Sequence, residues 1–206
     1  MVRADQEINT ITRRVEMSIK NCNSKEEFVQ ALTPEVNPKE KKGYTKAQMK
    51  DILTLADNYA KNNSTCKKTH VGCYIIAETE WRTVVSKGCN NGEENCKEVG
   101  CLREEKFGSN SKEHRQTCRC YGHHAEQDAL SKVPKDKKHL LQGATAFVTR
   151  YPCEECAKAL IEAGIKKIVY GREFTMADGA FLECSDAGIE VIHISEWNCD
   201  ENDTNN

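Results

Sequence analysis

Apolar positions recur at helical spacing near the start of the chain, where Ile8, Ile11, Val15 and Ile19 lie on one face and Ser24-Lys-Glu-Glu27 forms a capping box before Phe28 and Leu32. This pattern predicts a helical region over residues 5–32. Residues 33–44, TPEVNPKEKKGY, lose the periodicity and carry two prolines, a glycine and a lysine run, the composition of a linker. A second capping box, Thr45-Lys-Ala-Gln48, then opens a helix whose apolar face is Met49, Ile52, Leu53, Ala56, Tyr59 and Ala60. Beyond it the period changes. VGCYIIA and TVVSKG are short apolar runs joined by a polar turn at Glu78–Arg82 and predict a β-hairpin.

After a cysteine-rich loop (89–121), the pattern predicts a helix at 123–132, a strand at 143–149, a helix at 153–163, a strand at 166–170, a helix at 176–187 and a strand at 189–194. Strands alternating with helices through short loops imply right-handed crossovers and parallel pairing. The expected architecture is therefore an α/β fold with a mixed sheet, hairpin first and parallel strands after. The expected organisation is a helical extension and linker over 1–44, one principal domain over 45–196, and a polar tail over 197–206.

Length and charge narrow the function classes. A chain of 206 residues can build one sizeable core but hardly two full domains. The net charge of -2 leaves no overall field to gather polyanions. The apolar runs are too short to cross a bilayer, and no N-terminal run resembles a signal peptide, so an intracellular, cytoplasmic protein is expected. In that compartment 12 cysteines point to metal ligation or buried thiols more than to disulfides.

The chemistry is carried by two short segments. Pro152-Cys153-Glu-Glu-Cys156 falls where a strand ends and a helix begins, with its two cysteines on one face. Alone, such a pair suits a redox couple, half of a structural zinc site, or simple packing. Zinc needs at least one further ligand, and His124, at the start of the 123–132 helix, is the candidate. Three protein ligands leave a fourth position for water, as in a catalytic zinc site. A general acid/base must then stand beside that water without binding the metal, and Glu126 is placed for it. His123 is treated as flank, because with it as ligand Glu126 would turn about 100° further round the helix. H-x-E followed by P-C-x-x-C is a signature of zinc deaminases.

From TCKKTHVGCYII, GCN, NCKEVGCLRE, HRQTCRCYGHHAEQDAL, GATAFVTRYPCEECAKALIEAGIKKIVYG and GIEVI, residues 45–195 resemble the deoxycytidylate (dCMP) deaminases of the cytidine deaminase superfamily. The resemblance implies a three-layer sandwich with a five-stranded mixed sheet flanked by helices. It implies that water activated by zinc attacks C4 of cytosine while Glu126 moves a proton to N3 and then to the departing amine, yielding ammonia and a uracil product.

The same resemblance implies that backbone groups around Ala125 and Thr149 hold the base edge, Asn90 binds the sugar, and Tyr151 is a pocket aromatic. Cys66, Cys96, His114 and Cys118 match positions that hold a second, structural zinc in some relatives, with Cys101 and Cys120 as competitors. His114 and Cys118, four apart, could present two ligands from one helical turn. Arg103, Arg115, Arg119, Arg150 and Arg172 could hold a 5′-phosphate through paired hydrogen bonds, Arg119 first among them. The chain departs from the family in having Asp128 where asparagine is common, a carboxylate that would oppose an anionic substrate.

The resemblance thus points to a zinc hydrolase converting dCMP to dUMP for thymidylate synthesis, a homo-oligomer responding to deoxynucleotide triphosphates. Alternatives are a deaminase of a free nucleoside, dCTP or single-stranded nucleic acid, a non-catalytic zinc module, and a thiol redox protein built on Cys153 and Cys156. Nucleic acid is the weaker partner, because an editor needs a basic, aromatic-lined groove and only 6% of residues are aromatic.

Overall fold

A computed structural model describes residues 43–108, 123–173 and 178–197. The helical region expected over 5–32, most of the linker, His114, Cys118, Arg115, Arg119, Cys120 and the tail after Trp197 lie outside the described residues. Five strands form one sheet: β1 (Gly72–Ala77), β2 (Thr83–Cys89), β3 (Thr145–Arg150), β4 (Lys167–Arg172) and β5 (Glu190–His193), in the order β2-β1-β3-β4-β5. β1 is antiparallel to both β2 and β3, whereas β3, β4 and β5 run parallel. The mixed sheet, hairpin first, is the one expected.

The first helix, α1 (Lys46–Asn63), begins where the capping box predicts: Thr45 Oγ1 accepts from Gln48 N at 3.2 Å and Gln48 Oε1 accepts from Thr45 N at 3.0 Å. Its apolar stripe, with Met49 and Leu53, meets Ile76, Phe147, Val169, Ile194 and Trp197 on one face of the sheet. Gly72 lets β1 start against this helix, because a Cβ there would meet Ala56 O at 2.0 Å. Trp197, the first residue of the expected polar tail, is instead buried over Gly171 and donates from Nε1 to Thr54 Oγ1 at 3.1 Å. An indole with a hydrogen-bond partner packs like any large apolar ring.

The opposite face carries α4 (Ala125–Ser131), α5 (Glu154–Glu162) and α6 (Asp178–Asp186) over Cys73, Ile75, Ala146, Val148, Ile168 and Tyr170. Three layers result. β3 lies between two strands under helices on both faces, so Thr145–Thr149 is buried throughout. The loop expected over 89–121 contains two short helices, α2 (Cys96–Val99), capped by the Asn95 side chain, and α3 (Leu102–Phe107). At four and six residues they are too short to show a hydrophobic period. A 3-10 helix, Lys135–Leu141, also went unanticipated between α4 and β3. No described helix is long and apolar enough to cross a membrane.

Candidate active site

Two helix N-termini converge beyond the C-terminal end of the central strand, β3. β3 delivers the chain to Tyr151 and the buried Pro152, after which Cys153 is the N-cap of α5 and Cys156 lies buried in its first turn. His124 is the N-cap of α4, extended at φ -72 and ψ 161, and Glu126 follows in the first turn. Asn91 N donates to His123 O at 3.0 Å, so the segment entering α4 is pinned by backbone and the His123 ring stays exposed beside the site. His124 Nδ1 lies 3.4 Å from Cys153 Sγ and 3.4 Å from Cys156 Sγ. The ligand atoms of the three residues all fall within 4.8 Å of one another.

This donor set fits zinc. Bonds of about 2.3 Å to sulfur and about 2.0 Å to nitrogen in a tetrahedron separate N from S by about 3.5 Å, close to the observed contact. One imidazole and two thiols also match the softness that zinc prefers, with one position left open. Within the trio, the hydrogen bond from Cys156, reinforced by His124, holds the Cys153 thiol down at about 4. Cys156 is pushed far up because it donates to Cys153 and is buried. A divalent cation would let both be thiolates at once.

Glu126 is 3% exposed, and burial raises its carboxyl to about 7 against the pull of its own backbone N–H and of His124. It reaches the Cys156 thiol by hydrogen bond. Beneath it lies Cys73, fully buried, its thiol pushed up by burial and by the Glu126 and Asp128 carboxyls. A dry acid poised near neutrality next to three metal-type ligands can both take and give a proton.

The other expected site residues divide. Ala125 and Thr149 are fully buried near the two helix starts, and Thr149 Oγ1 accepts from Gly72 N at 3.0 Å. Asn90 is engaged by its own fold: Oδ1 accepts from Val71 N (2.8 Å) and Ser64 Oγ (3.0 Å), and Nδ2 donates to Thr69 O (2.9 Å). Tyr151 is 5% exposed, edge-on to Tyr170 at 4.7 Å, in the core cluster. Cys96 and Cys101 are buried and Cys66 is partly so; among the described residues they form no three-ligand group.

Arg172 is committed to Asp57 at 2.9 Å, so it braces the fold instead of waiting for phosphate. Arg103 and Arg150 are partly buried. Asp128 does not present a bare charge: Oδ2 accepts from Cys89 N at 2.9 Å and pairs with Lys132 Nζ at 2.6 Å. Nothing in the linear sequence connects Asp128 with Cys89; only the i, i+4 spacing to Lys132 was there to be read.

A three-layer α/β sandwich with a His-Cys-Cys cluster and a buried glutamate defines a zinc deaminase framework, and residues 46–172 match the cytidine and deoxycytidylate deaminase zinc-binding region. The chain belongs to that family. It is 31% identical over 139 residues to the deoxycytidylate deaminase of Saccharomyces cerevisiae, covering 66% of this chain and 41% of the yeast protein. The deoxycytidylate deaminase of Schizosaccharomyces pombe is 29% identical over 132 residues, 64% of this chain and 39% of that protein. The chain thus spans about two fifths of both relatives. The crystal structure of the cyanophage S-TIM5 dCMP deaminase in complex with dCMP and dUMP shares the fold, with a TM-score of 0.55 and 24% identity over 73% of this chain and 99% of that one.

Proposed function

We propose that this chain is a zinc-dependent hydrolase that converts dCMP and water to dUMP and ammonia, supplying dUMP for thymidylate synthesis. The carrying observation is the pairing of the His124, Cys153 and Cys156 cluster with the buried, near-neutral carboxyl of Glu126, in a family whose similar members are named deoxycytidylate deaminases.

In this reading His124, Cys153 and Cys156 hold the zinc, which when bound supplies Lewis-acid charge that makes water a nucleophile near neutral pH. Glu126 takes the proton from the attacking water, gives it to N3 of cytosine as the C4–O bond forms, and carries a second proton to the amine as the C4–N bond breaks. Backbone groups at Ala125 and Thr149 hold the base edge. Pairing of Asp128 with Lys132 removes the objection that a carboxylate repels an anionic substrate, which supports the monophosphate.

The domain runs over 45–196, Arg119 holds the phosphate, Asn90 offers its remaining amide hydrogen to the sugar, and Tyr151 braces the pocket from the core. Cys66, Cys96, His114 and Cys118 hold a second zinc, which the burial of Cys96 supports. The protein works in the cytoplasm as a homo-oligomer under deoxynucleotide triphosphate control. Exposure of Phe181 (61%) and Leu182 (63%) on α6 supports association.

The deciding experiment incubates the purified chain with deoxycytidine, dCMP, dCTP and single-stranded DNA and follows ammonia and uracil release. Turnover confined to dCMP is expected; preference for another of the four overturns the substrate, and turnover of none overturns the enzyme. Metal analysis of Cys118→Ser should show one zinc fewer per chain, and an unchanged count overturns the second site.

A further inference from the structure

We propose that Asp128 is a positioning residue, the clamp that fixes α4 against the edge strand β2 and so keeps Glu126 aimed at the metal ligands; this rests on the reading of Glu126 as proton carrier. Residues 126 and 128 are two apart, about 200° round a helix, so the carboxylate that does chemistry and the one that grips point to opposite sides. Asp128 is 4% exposed, and Oδ2 alone accepts from Cys89 N at 2.9 Å and from Lys132 Nζ at 2.6 Å.

Cys89 is the last residue of β2, and β2 is an edge strand that, among the described residues, is held in the sheet by β1. Its terminal N–H would otherwise be an unpaired donor in a buried place. Asp128 satisfies that donor and thereby ties the first turns of α4 to the sheet. Two further contacts make the seat close: Ser86 Oγ donates to Ala129 O, and Gly88 leaves room that a Cβ would fill at 2.3 Å from Ala129 N. Lys132 extends the clamp around the sheet edge, its ammonium 6.0 Å from the Tyr59 ring on α1.

A buried carboxylate needs its partners, so removing this one leaves a buried N–H and a lysine without their acceptor at the back of the helix that carries both His124 and Glu126. A carboxamide at 128 keeps an acceptor for Cys89 N while losing the charge that holds Lys132. The chemistry therefore predicts a graded response, alanine worse than asparagine, felt in the chemical step more than in substrate binding.

The test compares full-length wild type, Asp128→Ala and Asp128→Asn by kcat, KM, zinc content and amide exchange over residues 125–131. Asp128→Ala should lose about tenfold or more in kcat with KM within about threefold, because misaimed groups cost rate first. It should keep its catalytic zinc and exchange faster over α4, and Asp128→Asn should recover most of the lost kcat. Wild-type kcat in Asp128→Ala overturns the proposal, as does activity lost only in step with zinc. If wild type turns over none of the cytosine substrates, the functional reading has failed by itself, and unchanged exchange over 125–131 in Asp128→Ala then overturns the clamp.

Discussion

His124 Nδ1 stands 3.4 Å from Cys153 Sγ although 29 residues separate them, and each residue is the N-cap of its own helix. Helix starts leave N–H groups unpaired and favour negative charge, so two of them facing one another suit thiolates and the cation they hold. Removing the metal should therefore expose chemistry at Cys153 first, because it is partly exposed whereas Cys156 is buried. Chelated protein treated with iodoacetamide should be alkylated at Cys153 ahead of Cys156, and zinc should suppress both. Equal labelling with and without zinc, read by peptide mass spectrometry, would remove these sulfurs from the metal site.

Glu126→Gln keeps the volume of the side chain and every metal ligand while deleting the titratable proton. The variant should retain its catalytic zinc and lose at least about a hundredfold in kcat, the usual worth of a general acid/base. Zinc content and initial rates on the same sample decide it: near-wild-type turnover would assign the proton transfer elsewhere.

How far these residues could be read beforehand depended on whether their signal was local. The caps of α1, α4 and α5 and the H-x-E and P-C-x-x-C segments are local patterns, and the fold brings His124, Glu126, Cys153 and Cys156 together as the spacing implied. Asp128 read as a charge facing substrate because its partner, Cys89 N, is a backbone donor 39 residues away that no pattern announces. Arg172 read as a spare cation because Asp57 is 115 positions distant. Asn90 read as a sugar contact; its three side-chain hydrogen bonds to Ser64, Val71 and Thr69 fold the 64–71 loop back on the end of β2, a relationship no local pattern announces. Tyr151 read as a pocket aromatic or a strand-end core residue, and its edge-on packing against Tyr170 is a contact that only the folded chain makes visible.

Gly88 offers a test of how tightly the site depends on the seat of α4. A Cβ there would lie 2.3 Å from Ala129 N and 2.4 Å from Ala125 O, both backbone atoms that cannot swing aside. Gly88→Val should destabilise the protein by about 1–3 kcal/mol through overpacking and, because Ala125 lies between His124 and Glu126, weaken zinc retention as well. Denaturant unfolding paired with zinc titration checks both, and a variant with wild-type metal affinity would show that the helix can shift without cost to the site.

The Asp57–Arg172 pair joins the middle of α1 to the end of β4, with side chains only 5% and 19% exposed. Lys61 adds a second cation 3.0 Å from Asp57 Oδ2, and the Arg172 guanidinium also lies 5.6 Å from the Trp197 ring. Truncating Asp57 removes the carboxylate from a largely buried charge pair, so Asp57→Ala should cost about 3 kcal/mol. Removing both partners takes out the guanidinium together with its carboxylate. Asp57→Ala/Arg172→Leu should accordingly lose less stability than the sum of the single variants. Urea unfolding must be run at one saturating zinc concentration, since metal binding to the native state would otherwise add to every value. Strict additivity across the four proteins would show that the two side chains do not act as a pair, and would return Arg172 to the cations available for a phosphate.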